Sequence, residues 1–357
     1  MANIPSPDSV TSTWLTDCLQ RSGHRAAEVR GFESTRIGTG QIGMCVRYAL
    51  DVVGGDATTP RSLVGKFASD DPTSRQTGVQ LRNYIKEVCF YRELQHRLTI
   101  STPRCYYAEI EGQGPEFALL LEDLAPGEPG DQLAGCAVDV ARAAVLELVG
   151  LHAPSWCDDG LRGSEWLGEP SEPMIALGRA MYQAQLPGFI DRYGSRLESD
   201  EAEIIEQVAG SSGAPFELLA DPFALVHVDY RLDNLLIDSQ PDPPKISAVD
   251  WQSITLGSPL SDVAYFLGAG LLPEIRRTAE QDIVRAYHAA LEPAGVEGYD
   301  WQDCWNDYRR GTFSGFAVTV IASMMVQQTD RGDEMFTAMA RRHSRHALDL
   351  EAQEFLG

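Results

Sequence analysis

Apolar residues recur at three- and four-residue steps in residues 9–22, where Val10, Trp14, Leu15, Cys18 and Leu19 share one face and predict a helix. The run "MCVRYALDVV" that ends at residue 53 is rich in Val, Tyr and Leu and predicts a strand. "GGDATTP", 54–60, reads as a turn, and "RSLVGKFAS", 61–69, as the next strand. Leu81, Ile85, Val88 and Tyr91 restore the helical period and predict one helix over 78–98. "TPRCYYAEI" and "EFALLLEDL" then predict two further strands, and "APGEPGDQ", 125–132, is loop chemistry. Beyond it the pattern turns helical, over 136–152, 174–193, 200–209, 260–271, 276–292, 301–328 and 332–354. Short strands are expected only around 223–227, 234–238 and 245–250. The pattern is that of an α+β protein, a small β-rich lobe followed by a larger helical one.

Composition narrows the function classes. With 357 residues and 43% hydrophobic content, the chain can bury one large core or two. The formal net charge of -23, from 52 acidic against 29 basic residues, argues against a nucleic-acid partner. Seven scattered cysteines with no C-x-x-C predict neither a disulfide framework nor a zinc site, and point to a reducing compartment. The first ten residues carry no signal-peptide pattern, and "FSGFAVTVIASMMV", 313–326, is too short to span a bilayer. A soluble cytoplasmic protein with no membrane partner is expected.

Three polar clusters stand out against this background. The first is "GTGQIG", in which Gly38, Gly40 and Gly43 form G-x-G-x-x-G. A dinucleotide-binding reading, as in an oxidoreductase, needs a helix after the loop. Here a strand follows, so the loop reads either as a lid over phosphates or as a plain glycine-rich hairpin. The second is Lys66, flanked by Val64 and Phe67 in a buried-looking strand, where a lysine is costly unless paired. Glu87, 21 residues on, is the candidate partner, with Lys86 and Glu93 close by. The third is "HVDYRLDNLLID", 227–238, followed by "VDWQ", 249–252. Phosphoryl transfer asks for a carboxylate to orient a hydroxyl and accept its proton, and for hard oxygen ligands to Mg²⁺. Asp229 supplies the first, Asn234 and Asp250 the second. The runs "LLI" and "ISAV" would form a hairpin with Asn234 at one end and Asp250 at the other. His227 reads as a buried supporting residue, and Asp233 and Asp238 as turn residues.

In this order, and with "LLLEDL" and "GSPLSDVAYFL" added, the motifs resemble the aminoglycoside phosphotransferase and choline-kinase-like superfamily, nearest to its bacterial ecdysteroid-kinase-like members. The resemblance spans roughly residues 32–270. It implies a two-lobed protein-kinase-like fold. Residues 1–121 would be a nucleotide-binding lobe with a small antiparallel sheet and one main helix, 122–126 a hinge, and 127–357 a helical lobe holding the acceptor pocket. It implies ATP and Mg²⁺ as cofactors and a small-molecule hydroxyl as acceptor. Asp229 would be the catalytic base, and Asn234 and Asp250 the magnesium ligands. Lys66 would contact the ATP phosphates, braced by Glu87, beneath the glycines 38, 40 and 43. Leu121, Glu122, Asp123 and Leu124 would offer backbone groups to adenine, and Asp262 would brace the catalytic loop. The family's loop is usually His-Gly-Asp, and here Val228 replaces the glycine.

Only eleven residues separate Asp250 from Asp262, with no A-P-E between them, so a protein-kinase activation segment has no room. Trp301, Trp305 and Tyr308 fall on one helical face, as either a core face or an aromatic wall for the acceptor. Asp131, Asp303 and Asp307 would suit a polyamine acceptor if they are more than scattered surface charge. The alternative in another class is an inactive nucleotide-binding regulator or scaffold of the same fold, which has no need of Asp229.

Overall fold

A computed structural model describes residues 4–38 and 42–357. Its contacts divide the chain into two units. The described residues through Arg97 join Thr102–Pro126 and Asp250–Ser253 in the first, while Leu98–Ser101, Gly127–Val249 and Ile254–Gly357 make the second.

The first unit is built on an antiparallel sheet of β1 (Glu28–Ile37), β2 (Gly43–Val53), β3 (Ser62–Ala68), β4 (Cys105–Ile110) and β5 (Phe117–Glu122), in the order β1-β2-β3-β5-β4. Strict alternation along β2 turns Met44, Val46, Tyr48, Leu50 and Val52 inward. These pack against Leu15 and Leu19 of α1 (Ser12–Arg21) in one apolar cluster. Strand β5 is buried from Phe117 through Leu121, as its unbroken apolar run requires. Each such side chain contributes about 2 kcal/mol by leaving water. The glycine loop lies between β1 and β2, which pair as a hairpin from Ile37↔Cys45 to Glu28↔Val53. The helix a dinucleotide-binding loop would need is therefore absent at β2, and the oxidoreductase reading falls.

The single helix expected over 78–98 is two, α2 (Pro72–Gln80) and α3 (Asn83–Cys89), followed by a π-helical turn, Phe90–Leu94. They break at Arg82, whose φ of 61° is left-handed. Residues 250–253 complete this unit: Trp251 stacks on Phe90 with ring centroids 3.9 Å apart and donates from Nε1 to Thr102 Oγ1 at 2.9 Å. Asn83 Nδ2 donates to the Gln252 carbonyl at 3.1 Å, tying α3 to the same segment.

The second unit carries five short strands: β6 (Glu128–Pro129), β7 (Ala224–Val226), β8 (Leu235–Asp238), β9 (Lys245–Ala248) and β10 (Thr255–Gly257). Strand β7 pairs with β10, and β8 pairs with both β6 and β9. The remainder is helical: α4 (Val138–Glu147), α5 (Val149–His152), α6 (Glu172–Tyr193), α7 (Ser199–Ala209), α8 (Pro259–Gly270), α9 (Pro273–Leu291), α10 (Trp301–Gly311), α11 (Ser314–Ala317), α12 (Ser323–Met325) and α13 (Asp330–Asp349). Helix α8 is buried along almost its whole length. A separate core gathers Tyr182, Phe189, Ile204, Val208, Phe316 and Phe336 from α6, α7, α11 and α13. The helix expected over 301–328 breaks after Gly311, where a Cβ would meet the Leu260 carbonyl at 2.8 Å, and again at a π-helical turn, Val318–Ala322. Close packing on α8 sets the first break. Among the described residues no helix is long and apolar enough to cross a membrane, and all seven cysteines are free.

Candidate active site

In the first unit the sheet aims one cation at two carboxylates. Lys66 lies on the central strand β3, between Cys45 of β2 and Leu119 of β5. Its Nζ is 2.7 Å from the Glu87 carboxylate and 2.8 Å from Asp250 Oδ1. Lys66 is 8% exposed and Glu87 1%. Burial disfavours the ammonium, but Asp250 and Glu87 outweigh it and hold Lys66 well above the ordinary lysine range. Burial pushes the Glu87 carboxyl up to about 7, with Lys66 pulling it back. Burial, with Arg82 nearby, lowers Lys86 to about 8.

Gly43 makes room for this arrangement. A Cβ there would sit 2.9 Å from Lys66 Cε, the end of a side chain held by two carboxylates. Gly38 has a φ of 73°, which also favours glycine, and Gly40 lies outside the described residues. Asp250 itself is held at a φ of 69°, and its Oδ2 accepts from Gln252 Nε2 at 3.2 Å. The segment at the end of β5 is pinned: the Glu122 amide donates to the Arg104 carbonyl, and Asp123 takes Arg47 Nε at 2.7 Å and Ser62 Oγ at 2.6 Å. The Asp123 carboxylate is thus committed to Arg47 and Ser62. Leu121 pairs with Val64 and Cys105 within the sheet.

In the second unit β7 ends at Val226 and the chain turns through 227–234. Asp262, on the first turn of α8, accepts the amides of His227 at 2.6 Å and Val228 at 2.9 Å. The His227 ring is fully buried and its Nε2 bonds the Val249 carbonyl at 3.0 Å. Val228 stands at a φ of 73°, the conformation a glycine would adopt freely, so its substitution leaves the backbone path intact and adds strain. Asp229 Oδ1 accepts from Arg231 Nε at 3.0 Å and from the Tyr265 hydroxyl at 3.0 Å. Its Oδ2 accepts from Asn234 Nδ2 at 2.8 Å. Asn234 Nδ2 also reaches the Asp229 carbonyl at 2.9 Å, which fixes the amide with Oδ1 turned away and accepting nothing from the described residues. The hairpin then runs from Leu235↔Ala248 to Asp238↔Lys245, and Val249 donates to the Asn234 carbonyl at 3.0 Å. The β8–β9 pairing thus begins directly after Asn234.

Asn234 and Asp250 each carry a hard oxygen, the donor type Mg²⁺ takes, and the side-chain Oδ1 of Asn234 keeps its lone pairs uncommitted among the described residues. Sequence reasoning overlooked Arg231, which pairs with Asp229 and Asp233, and Tyr265. It also overlooked Gln132, fully buried, whose Oε1 accepts the Leu232 amide at 3.1 Å. Tyr265 had a visible signal, lying one helical turn after Asp262.

The aromatic face of α10 is committed to packing. Trp301 and Trp305 stack with centroids 5.5 Å apart, Arg285 covers Trp301 at 4.0 Å, and the Tyr308 hydroxyl bonds Glu280 and His346. Asp307 accepts from the Tyr299 hydroxyl at 2.8 Å, and Asp131 caps the Leu133 amide at 2.9 Å.

Comparison with known proteins places this geometry in context. The structure resembles a choline kinase from Cryptosporidium parvum, with a TM-score of 0.57 and 10% identity, covering 96% of this chain and 95% of that one. It also resembles the GDP complex of an aminoglycoside 2'-phosphotransferase, with a TM-score of 0.52 and 12% identity, over 94% and 99%. At such identities the likeness is one of fold, and it establishes the kinase-like α+β architecture. Over 112 residues the chain is 42% identical to Acyl-CoA dehydrogenase family member 10 of Mus musculus, a match covering 27% of this chain. It spans only 10% of that protein's length. The model of the ecdysteroid kinase-like family matches residues 42–294, which take in Lys66, Glu87, the 227–234 turn and Asp250, and the chain belongs to that family.

Proposed function

We propose that the protein is a small-molecule O-phosphotransferase that moves the γ-phosphate of ATP to a hydroxyl group. The observation that carries this reading is the buried Lys66 ammonium held between Glu87 and Asp250. A buried cation braced by two carboxylates is an expensive arrangement to build for stability alone. It suits a site that presents positive charge to nucleotide phosphates while keeping a carboxylate at hand for a metal. Membership of a kinase-like family and the nucleotide bound by a neighbour of the same fold support it.

Lys66 binds phosphate oxygens, with Glu87 fixing its direction. Gly38 and Gly43 flank the loop assigned to the phosphates, and the backbone of 121–124 meets the base. Asp229 orients the acceptor hydroxyl and takes its proton. Asn234 and Asp250 are the residues that would hold Mg²⁺, whose charge would offset that of the phosphates. The acceptor is a small molecule.

Calorimetric titration with ATP and with GTP, with and without Mg²⁺, tests the reading. Binding should strengthen with Mg²⁺ in the wild type, and Asp250→Ala should abolish that gain. Mass-spectrometric screening of alcohols for a mass gain of one phosphate then identifies the acceptor. Absence of nucleotide binding under every condition would sink the proposal.

A further inference from the structure

Helix α8 grips three consecutive residues of the 227–234 turn. Asp262 accepts the amides of residues 227 and 228, and Tyr265, one turn on, reaches the carboxylate of residue 229. An ionised carboxylate offers about four lone-pair sites, two on each oxygen. On Asp229, Oδ1 is filled by Arg231 Nε and the Tyr265 hydroxyl, while Oδ2 has received only Asn234 Nδ2.

We propose that Tyr265 is a positioning residue. Its hydroxyl, with the Arg231 guanidinium, occupies Oδ1 of Asp229 and leaves Oδ2 as the atom that takes the acceptor's proton. The proposal rests on the phosphotransferase reading. In that reaction the acceptor oxygen forms a bond to the γ-phosphorus, and the bond from that phosphorus to the bridging oxygen breaks with its electron pair leaving on the diphosphate. The hydroxyl proton passes to Oδ2.

The surroundings of Tyr265 fit a fixed donor. It is 1% exposed, and burial together with the Asp229 carboxylate raises its phenol well above the ordinary range, so the proton stays on the tyrosine. Its ring lies flat on His343 of α13, with centroids 5.3 Å apart and planes 16° from parallel. His343 is itself buried, with no hydrogen-bond partner at either ring nitrogen. A side chain at Gly315 would approach that ring to 2.3 Å, so the glycine lets the imidazole back the tyrosine. Nothing in this stack anchors the hydroxyl except Asp229.

The test is Tyr265→Phe, which keeps the ring and its stacking. Two readouts are needed: a crystal structure of the variant, and turnover of Mg·ATP with water as acceptor. We expect the Asp229 carboxylate to rotate away from its present direction. We expect kcat to fall about 10- to 100-fold with KM for Mg·ATP unchanged, as misplacement of a proton acceptor predicts. Asp229→Asn should then make Tyr265→Phe silent, because the tyrosine acts only through that carboxylate. An unmoved carboxylate overturns the proposal whatever the turnover, and so does a loss of ATP affinity that matches the loss of kcat. If the wild type neither binds nor turns over nucleotide, the phosphotransferase reading fails on its own, and the carboxylate's direction in the variant still decides the role of Tyr265.

Discussion

Single residues in this protein carry costs that only their surroundings explain. Val228 holds a left-handed φ of 73° that branched side chains resist, while its amide is fixed on Asp262. Relief of that strain outweighs the added freedom of the unfolded chain, so Val228→Gly should raise stability by about 0.5–1 kcal/mol, read as a higher thermal midpoint. Val228→Ala keeps the left-handed penalty and should bring no such gain. Lys66 makes the opposite case. Lys66→Met leaves Glu87, 1% exposed, with no cation beside it, and should cost about 3 kcal/mol near pH 9, where that carboxyl is ionised. Burial already holds Glu87 at about 7 with Lys66 pulling it down, so without the lysine it takes up a proton at higher pH, and the cost should shrink toward about pH 6. Denaturant titrations at the two pH values check this.

Among the elements, the β8–β9 hairpin was legible, because two short apolar runs flank a turn-rich "DSQPDPP". So was the glycine loop between two strands, since β-branched and aromatic residues follow it at once. The division of 78–98 was not. Leu81, Ile85 and Val88 keep the helical period straight across Arg82, and backbone handedness leaves no mark on hydrophobic spacing. The break after Gly311 was hidden for a related reason: it comes from how near α10 lies to the Leu260 carbonyl, a contact between residues 51 positions apart. Arg231 and Tyr265 went unseen because their meaning lies in which oxygen of Asp229 they reach. Contacts of this kind also forecast fragility. Gly315→Ala would drive a methyl to within 2.3 Å of the buried His343 ring, with no flexible end to yield, and should destabilise α11 against α13 by about 2 kcal/mol or more, seen as a lowered thermal midpoint.

For the whole molecule, acid is the expected weakness of the helical unit. Burial pushes His343 down to about 3, from an ordinary value near 6.5, and His346 in the same way is lowered. A histidine kept neutral in the folded state contributes stability that is complete above the unfolded value, about 6.5, and is lost as pH falls through the window toward about 3. The unfolded chain takes up a proton that the folded chain refuses. The unfolding midpoint of this unit should therefore drop steadily from pH 7 to pH 4, and His343→Phe, where tolerated, should flatten that slope. Differential scanning calorimetry across the range would show it.

Residues 250–253 belong to the sheet unit although 123 residues of the helical unit, 127–249, are strung before them. Trp251 fills the space against Phe90, and Asp250 closes the ion pairs of Lys66. During synthesis the amino-terminal sheet therefore emerges unfinished, and it waits for the helical unit's first half to leave the ribosome before its last pieces arrive. Maturation of this protein cannot run strictly from front to back. A fragment ending at Pro126 should remain soft, and the burial of Trp251, followed by its fluorescence, should report the moment when the front of the chain is finally made whole.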